Sequence, residues 1–487
     1  MRRLLTGTSA YASELWRSAA RGWNAFFFTP ADPTPLGLIR IAVGLLALWS
    51  LAVYGLDLRD FFGSDGWADA EAVRRVQGYD QPGLWSFWFL VPDPLLRPVW
   101  AACLVVLMLF TAGLFSRVTA VLAWVIVVAT ARRVPVSLFG FDQAVSAWLL
   151  YLAVSGAGGQ AVSLDRFLGR WKRGRDAWSR RRSDGRVPLT SGAPAPTVSA
   201  NLALRLIQLH LCLVYGMAGL AKLQGPAWWN GSALWGTLAS GEFRRWDLTW
   251  LAAYPWLLNA LTHASLALEV FYPALVWSRV TRPLLLAVTV LLHAGIGLTS
   301  PGLGEFGLAM VAANLAFVSG PWLRSLVTGV DPSVPAGRVV YDGACPRCRA
   351  SMALLTAADP DRMVEPVDLT AVDVATVHPA LTREACTAEM HLVRADGRVL
   401  AGYDAVLALA RWMPLFWPVA AVGTVPGVAL LGRRAYRAVA ASRTRGVPCT
   451  DDVCGLHGPG PGARDSRTAG PTAAPAPAGN SSRPPRS

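Results

Sequence analysis

Blocks of apolar residues, separated by short polar loops, fill this chain as far as Gly320. Eight of them read as membrane spans, near 36–56, 98–116, 118–132, 143–158, 202–222, 251–277, 284–299 and 304–320. Several fall short of the ~20 residues that a perpendicular helix needs, so their ends are soft, and the third and fourth could be partly re-entrant. From about Val334 the pattern changes to that of a small α/β domain: a short buried strand at 338–341 (RVVY), a tight turn, then a helix. Segment 415–431 is apolar for 17 residues, but Pro418, Gly423, Pro426 and Gly427 would make a poor helix in lipid. It reads as an interfacial or domain-packed segment that holds the domain at the membrane surface. Stretch 183–199 reads as a flexible linker, and the tail at 457–487 is too poor in apolar residues to bury a core and is expected to be disordered.

Composition agrees. Of 487 residues, 53% are hydrophobic and only 16% charged, against about 25% in soluble chains. The net charge of +14 does not form a groove-like stripe, which argues against nucleic acid as a partner. It collects in loops, where the positive-inside rule gives orientation. Loop 159–201 carries nine Lys or Arg against three Asp, whereas loop 57–97 carries four Arg against seven acidic residues. The N-terminal segment (1–30) and loop 159–201 are therefore placed in the cytoplasm of a cell inner (plasma) membrane protein. Eight spans then return the C-terminal domain to the same side. Seven cysteines are too few for a disulfide scaffold, and no cleavable signal is expected.

The helix of the C-terminal domain opens with Cys345, Pro346 and Cys348. A helix N-terminus presents unpaired N–H groups and a partial positive charge that stabilise a thiolate. Cys345 reads as the attacking thiol and Cys348 as the one that resolves a mixed disulfide. Pro346 suits the first turn, where its missing N–H is not needed. The alternatives are inert thiols or half of a zinc site, completed by Cys449, Cys454 and His457, though their spacing is loose.

Tyr341, Asp342, Gly343, Cys345 and Cys348 reproduce Tyr-Asp-Gly-x-Cys-x-x-Cys, and here the chain resembles the DCC family of thiol-disulfide oxidoreductases. Segment 390–412 also looks like that family, with a hairpin turning at Asp396-Gly397 and a helix beginning near Asp404. The resemblance covers roughly 335–445 and implies a thioredoxin-like fold and a thiol or disulfide protein partner. Thioredoxins place a cis-proline before the strand facing the active site, but here Cys386, Thr387, Ala388 and Glu389 precede Met390. Docking by the usual thioredoxin route is thus not implied. Cys386 is either a third redox thiol or a buried small hydrophobe.

Ionisable residues within the apolar blocks are costly in lipid and mark candidate sites. Arg205, Gln208, Cys212, Tyr215, Gly219 and Lys222 recur at steps of three and four, as do Thr262, Ser265, Glu269 and Tyr272. Each set forms one helical stripe that should face the bundle interior. Glu269 is expected to pair with Arg205, Lys222 or His293, structurally or for proton transfer. Lys222 is either a snorkelling interfacial lysine or a functional group. Arg40, Arg132, Arg133 and Asp142 are further candidates, with ordinary interfacial anchoring as the alternative.

The strings around Arg40 (PLGLIRIAVGLLAL), Asp142 (RRVPVSLFGFDQ), residues 163–165 (SLD) and Lys222 (YGMAGLAKLQGPAWWNG) resemble, in order, the HTTM family of membrane domains related to vitamin K-dependent γ-carboxylase, over roughly 31–320. That resemblance implies a base at Lys222, supported by His293, and a quinone, lipid or peptide substrate, with a membrane quinone as the candidate cofactor. The carboxylase's large lumenal substrate-binding region has no counterpart, so peptide carboxylation is not implied. The expected fold is an α-helical polytopic membrane bundle of about eight spans plus a small α/β thioredoxin-like domain. Its expected function is cytoplasmic Cys-x-x-Cys thiol-disulfide exchange. The alternative is a non-enzymatic scaffold or transporter with a redox-sensing or zinc-binding module.

Overall fold

The computed structural model describes residues 2–66, 69–77, 86–179, 192–241, 245–328, 335–359 and 362–443. The zinc-site alternative at Cys449, Cys454 and His457, most of the linker and the whole 457–487 tail lie outside them.

Each apolar block carries a helix, preceded by α1 (Arg2–Phe28), for which the sequence reading made no provision. The bundle helices are α2 (Thr34–Tyr54), α3 (Leu96–Ala112), α4 (Ser116–Arg133), α5 (Gly140–Ser155), α7 (Val198–Lys222), α8 (Pro255–Leu275), α9 (Arg282–Thr299) and α10 (Gly304–Asn314). A basic helix, α6 (Leu164–Ser179), interrupts the series. Helix length and composition do not confirm all eight expected spans. Four described helices are long and apolar enough to cross a membrane: Thr34–Tyr54, Asp93–Ala112, Val198–Lys222 and Arg282–Thr299. Two bent pairs would raise the number to six. The fourth block makes only 16 residues of helix. The eighth is broken, because α10 bends by 119° into α11 (Gly320–Thr328).

Fully buried Leu36, Ile39, Val43, Leu107, Trp148 and Leu149 form the centre of the bundle. Large apolar side chains such as Leu45, Leu213, Leu284 and Leu291 stay exposed on its outside, as they would in a bundle solvated by lipid.

The C-terminal domain holds a mixed four-stranded sheet in the order β2-β1-β3-β4. β1 (Gly337–Tyr341) runs parallel to β2 (Val364–Asp368) in the register Val340↔Val367, and antiparallel to β3 (His391–Arg394), with Val339 facing Leu392. β4 (Val399–Ala401) closes the hairpin, whose turn uses Gly397 at φ 79°. A parallel pair needs a crossover, and α12 (Pro346–Ala358) supplies it. α13 (Arg383–Ala388) precedes β3 and α14 (Gly402–Trp412) follows β4.

Side chains alternate across β1. Val339 and Tyr341 pack with Met352 and Ala353 of α12, whereas Val340 packs on the other face with Leu369 and Cys386. The 415–431 segment is not one continuous helix. It breaks into α15 (Trp417–Gly423) and α16 (Pro426–Ala441), each with a proline in its first turn. Both keep apolar side chains exposed, among them Val419, Val422, Leu430 and Leu431.

The two parts touch. α6 packs along α12, and the buried Arg170 of α6 donates to the carbonyls of Thr356 (2.6 Å) and Asp359 (2.7 Å). Those acceptors lie at the end of α12, where helix carbonyls lack intrahelical partners and a cation is favoured.

Candidate functional site

The dithiol stands where the sequence put it, at the start of α12 just after β1. Cys345 is the N-cap residue and Pro346 opens the helix; the Cys345 sulfur accepts the Cys348 backbone N–H at 3.4 Å. The preceding motif has a structural reason at each position. Tyr341 is the buried end of β1, and its carbonyl accepts from Leu369 (3.0 Å). The buried Asp342 carboxylate accepts from Ala344 N–H (3.0 Å), and its carbonyl accepts from Cys345 N–H (3.2 Å). Gly343 N–H donates to Asp368 of β2 (3.1 Å), and a Cβ at Gly343 would overlap that carboxylate. The turn is thus held to the neighbouring strand at the spacing that only glycine permits.

The two thiols differ in accessibility. Cys345 is 0% exposed, because its sulfur is tucked under the first turn of its own helix. Cys348, half-buried, faces a pocket of about 130 Å³ lined by Tyr341, Arg347, Met390, Tyr436 and Arg443. Arg443 Nη1 lies 3.5 Å from the Cys348 sulfur. Burial pushes the Cys348 thiol up to about 11; the hydrogen bond from Arg443 pulls the other way.

The same guanidinium also binds the proline-free segment before β3. Its Nη2 donates to the carbonyls of Thr387 (3.2 Å) and Ala388. Tyr436 of α16 accepts from Met390 N–H (3.1 Å). Sequence reasoning missed both residues, since arginines and a tyrosine on a C-terminal helix look like an ordinary solvated face. Cys386 is buried on the opposite face of β1 from α12, and burial raises its thiol pKa. It packs as a small hydrophobe, away from the dithiol. Among the described residues no group of three or more His, Cys, Asp or Glu side chains could hold a metal ion.

In the bundle both polar stripes point inward: Gln208, Tyr215, Gly219, Thr262, Ser265 and Tyr272 are buried. Of the three partners considered for Glu269, Lys222 takes the place, with Nζ–Oε2 at 2.6 Å. Lys222 also sits 5.2 Å from the ring centre of Trp228. Gly219 makes the pair possible, since a Cβ there would lie 2.8 Å from the Val270 backbone nitrogen. Small residues at such crossings let membrane helices approach closely.

His293 is not near Lys222 in hydrogen-bond terms; it pairs with Tyr215 (2.8 Å). Tyr215 in turn joins Asn314 (3.4 Å), which accepts from Tyr272 (2.5 Å). Asn314 was missed, although an amide within an otherwise apolar block was a usable signal. Arg205 serves the end of α1, donating to the Phe26 carbonyl (3.1 Å) and to Gln208 (2.9 Å). Asp142 closes the start of α5 by accepting from Phe139 N–H (3.2 Å). The fold therefore gathers Tyr341, Asp342, Gly343, Cys345 and Cys348 at one site. Lys222 and Glu269 meet at a second, Tyr215 and His293 at a third, and Arg205 and Asp142 stand apart from all three.

No curated protein and no solved structure gives a significant match to this chain. Residues 339–447 match a family model described as DCC1-like thiol-disulfide oxidoreductase. Its span takes in the strand, the dithiol helix and the helix that brings Arg443 to Cys348, so the chain carries a DCC1-like thiol-disulfide oxidoreductase domain in its C-terminal part.

Proposed function

We propose that this chain is a membrane-held thiol-disulfide oxidoreductase whose Cys345 and Cys348 cycle between dithiol and disulfide on a thioredoxin-like domain. The observation that carries the reading is Cys348 facing a pocket beside the Arg443 guanidinium, with Cys345 one helical turn away. A sheet ordered β2-β1-β3-β4, with the dithiol helix crossing between its parallel strands, supports the fold.

In the reductive direction Cys348 attacks a partner disulfide. One partner sulfur leaves as a thiol and a Cys348–partner mixed disulfide forms. Cys345 then displaces the second partner sulfur, leaving a Cys345–Cys348 disulfide. Two electrons and two protons pass to the partner, and an external thiol restores the dithiol by the reverse steps. The roles of the two cysteines are exchanged relative to the sequence expectation because only Cys348 is reachable. At neutral pH the resting Cys348 is a protonated thiol, so Arg443 acts at the encounter, stabilising the thiolate as it forms.

The membrane part we read as an HTTM-like bundle in the inner membrane. The contact between α6 and α12 supports a shared face for loop 159–201 and the redox domain. That shared face requires an even number of crossings between them, and the loop's basic charge favours the cytoplasm for it. Lys222 is proposed as half of an interhelical ion pair with Glu269; a carboxylate at 2.6 Å supports this over a carboxylase-like base.

Trapping tests the order of attack. The full chain with Cys345→Ser should accumulate mixed disulfides through Cys348 when offered a disulfide peptide, whereas Cys348→Ser should accumulate few. The opposite pattern would restore Cys345 as the attacking thiol.

A further inference from the structure

A cavity of about 780 Å³ lies where α2, α3 and α6 meet the redox domain. Four arginines line it: Arg40, Arg166, Arg170 and Arg324. None of its lining residues is Asp or Glu. Asp32, just outside the lining, pairs with Arg324 (2.6 Å). Asp165 is close enough to Arg40 to act on it electrostatically.

Most of the remaining lining is apolar. Leu38, Leu45 and Met108 come from α2 and α3, two helices long and apolar enough to cross a membrane. Leu45 and Met108 are each about half exposed (55% and 51%). The apolar wall therefore continues onto the outer surface of the bundle, where lipid chains would lie. Ala358 and Trp417 close the cavity from the redox domain.

The basic end is built rather than incidental. Arg40 is 1% exposed, and its two terminal nitrogens donate to the carbonyls of Gly158 and Val162 (both 2.7 Å). Its Nε has no hydrogen-bond partner among the described residues. Val162 holds φ at 48°, in the left-handed region that a β-branched residue strongly resists. A cation buried in a bundle is costly, and backbone strain of this kind marks sites that the surrounding structure enforces.

We infer that this cavity binds an anionic phospholipid, with the phosphate headgroup against the arginines and the acyl chains running over Leu38, Leu45 and Met108 into the bilayer. Guanidinium groups favour phosphate through charge-assisted, often bidentate hydrogen bonds. Basic pockets on the cytoplasmic side of membrane helices suit anionic headgroups. The volume lies within the about 300–1,000 Å³ of small-molecule sites, enough for a headgroup, glycerol and the first chain segments. A soluble anion would leave the apolar wall unused, and a neutral headgroup would add no negative charge to that of Asp32 and Asp165 beside the four arginines. Because Arg170 also holds α12, the lipid would sit on the joint between the bundle and the dithiol helix.

The test uses the purified full-length protein, delipidated in detergent, with native mass spectrometry and the thermal midpoint as readouts. Phosphatidylglycerol should stay bound and raise the midpoint, while phosphatidylcholine and inorganic phosphate should do neither. Arg166→Gln, which removes a lining charge, should weaken phosphatidylglycerol binding about tenfold. Met108→Trp, which fills the apolar wall at a half-exposed position, should weaken it without changing any charge. If Arg166→Gln does not fold, Met108→Trp decides the matter. Equal binding of phosphatidylcholine, a shift reproduced by phosphate alone, or wild-type binding by the folded variants would overturn the assignment.

Discussion

Arg443 Nη1 and the Cys348 sulfur lie 3.5 Å apart, although 95 residues separate them in the chain. Arg443 sits just past the last turn of α16, and its second terminal nitrogen is fixed by the carbonyls of Thr387 and Ala388. The guanidinium is thus pinned between the segment before β3 and the thiol. Replacing it with Gln removes the positive charge while keeping a donor.

In a Cys345→Ser background, Arg443→Gln should slow alkylation of Cys348 about tenfold at pH 8, the effect of one pKa unit. Arg443→Lys should recover part of the rate. Iodoacetamide labelling followed by mass spectrometry reads both. An unchanged rate would remove Arg443 from the account of the thiol.

The raised thiol also makes stability depend on pH. The folded Cys348 thiol titrates at about 11, against ~8.5 in an unfolded chain. Between those values the folded state holds a proton that the unfolded state has lost, so stability falls as pH rises. The contribution is complete below about pH 8.5 and gone above about pH 11. Cys348→Ala should flatten this part of the thermal midpoint profile relative to wild type. Parallel profiles would contradict the buried-thiol reading.

Gly219, Lys222 and Glu269 form one device in the bundle. Gly219→Ala places a carbon 2.8 Å from the Val270 nitrogen and should destabilise by about 1–3 kcal/mol. Lys222→Met strands a partly buried carboxylate. Lys222→Met with Glu269→Gln removes both charges and should recover much of that loss. A double-mutant cycle in detergent checks this, and additive losses would mean that the two residues do not act as a pair.

Arg170 ties the bundle to the dithiol helix. Arg170→Gln leaves the carbonyls of Thr356 and Asp359 without their cation and should cost about 1–3 kcal/mol locally. Hydrogen exchange over 346–359 should quicken while exchange in α2 stays unchanged. Equal protection in the variant would show that the contact does not hold α12.

Much of the redox site was legible because its signals are local. A strand, a tight turn and an N-capped helix with Pro in its first turn are each written within a few residues, and so is the Gly397 hairpin turn. The inward stripes on α7 and α8 were legible for the same reason, since helical periodicity puts Tyr215 and Glu269 on the buried side. What escaped depends on distant segments. Nothing near Arg443 says that α16 folds back onto the dithiol, nor does anything near Cys345 say that its sulfur is sealed under the first turn. The number of spans was not legible, because apolar composition does not fix helix length or the bend after Asn314, and four described helices, or up to six spans with the bent pairs, are long and apolar enough to cross. Arg170 read only as loop charge, because its acceptors lie 186 and 189 residues away.

Dithiol–disulfide cycling at Cys345 and Cys348 is tested most simply by a redox titration of the full-length protein in dithiothreitol buffers, read by alkylation and peptide mass spectrometry. The expected result is a reversible two-electron transition with one disulfide, Cys345–Cys348, abolished by serine at either position and leaving Cys386 reduced throughout. Two thiols that stay free across the whole range, or a disulfide formed through other cysteines, would contradict it.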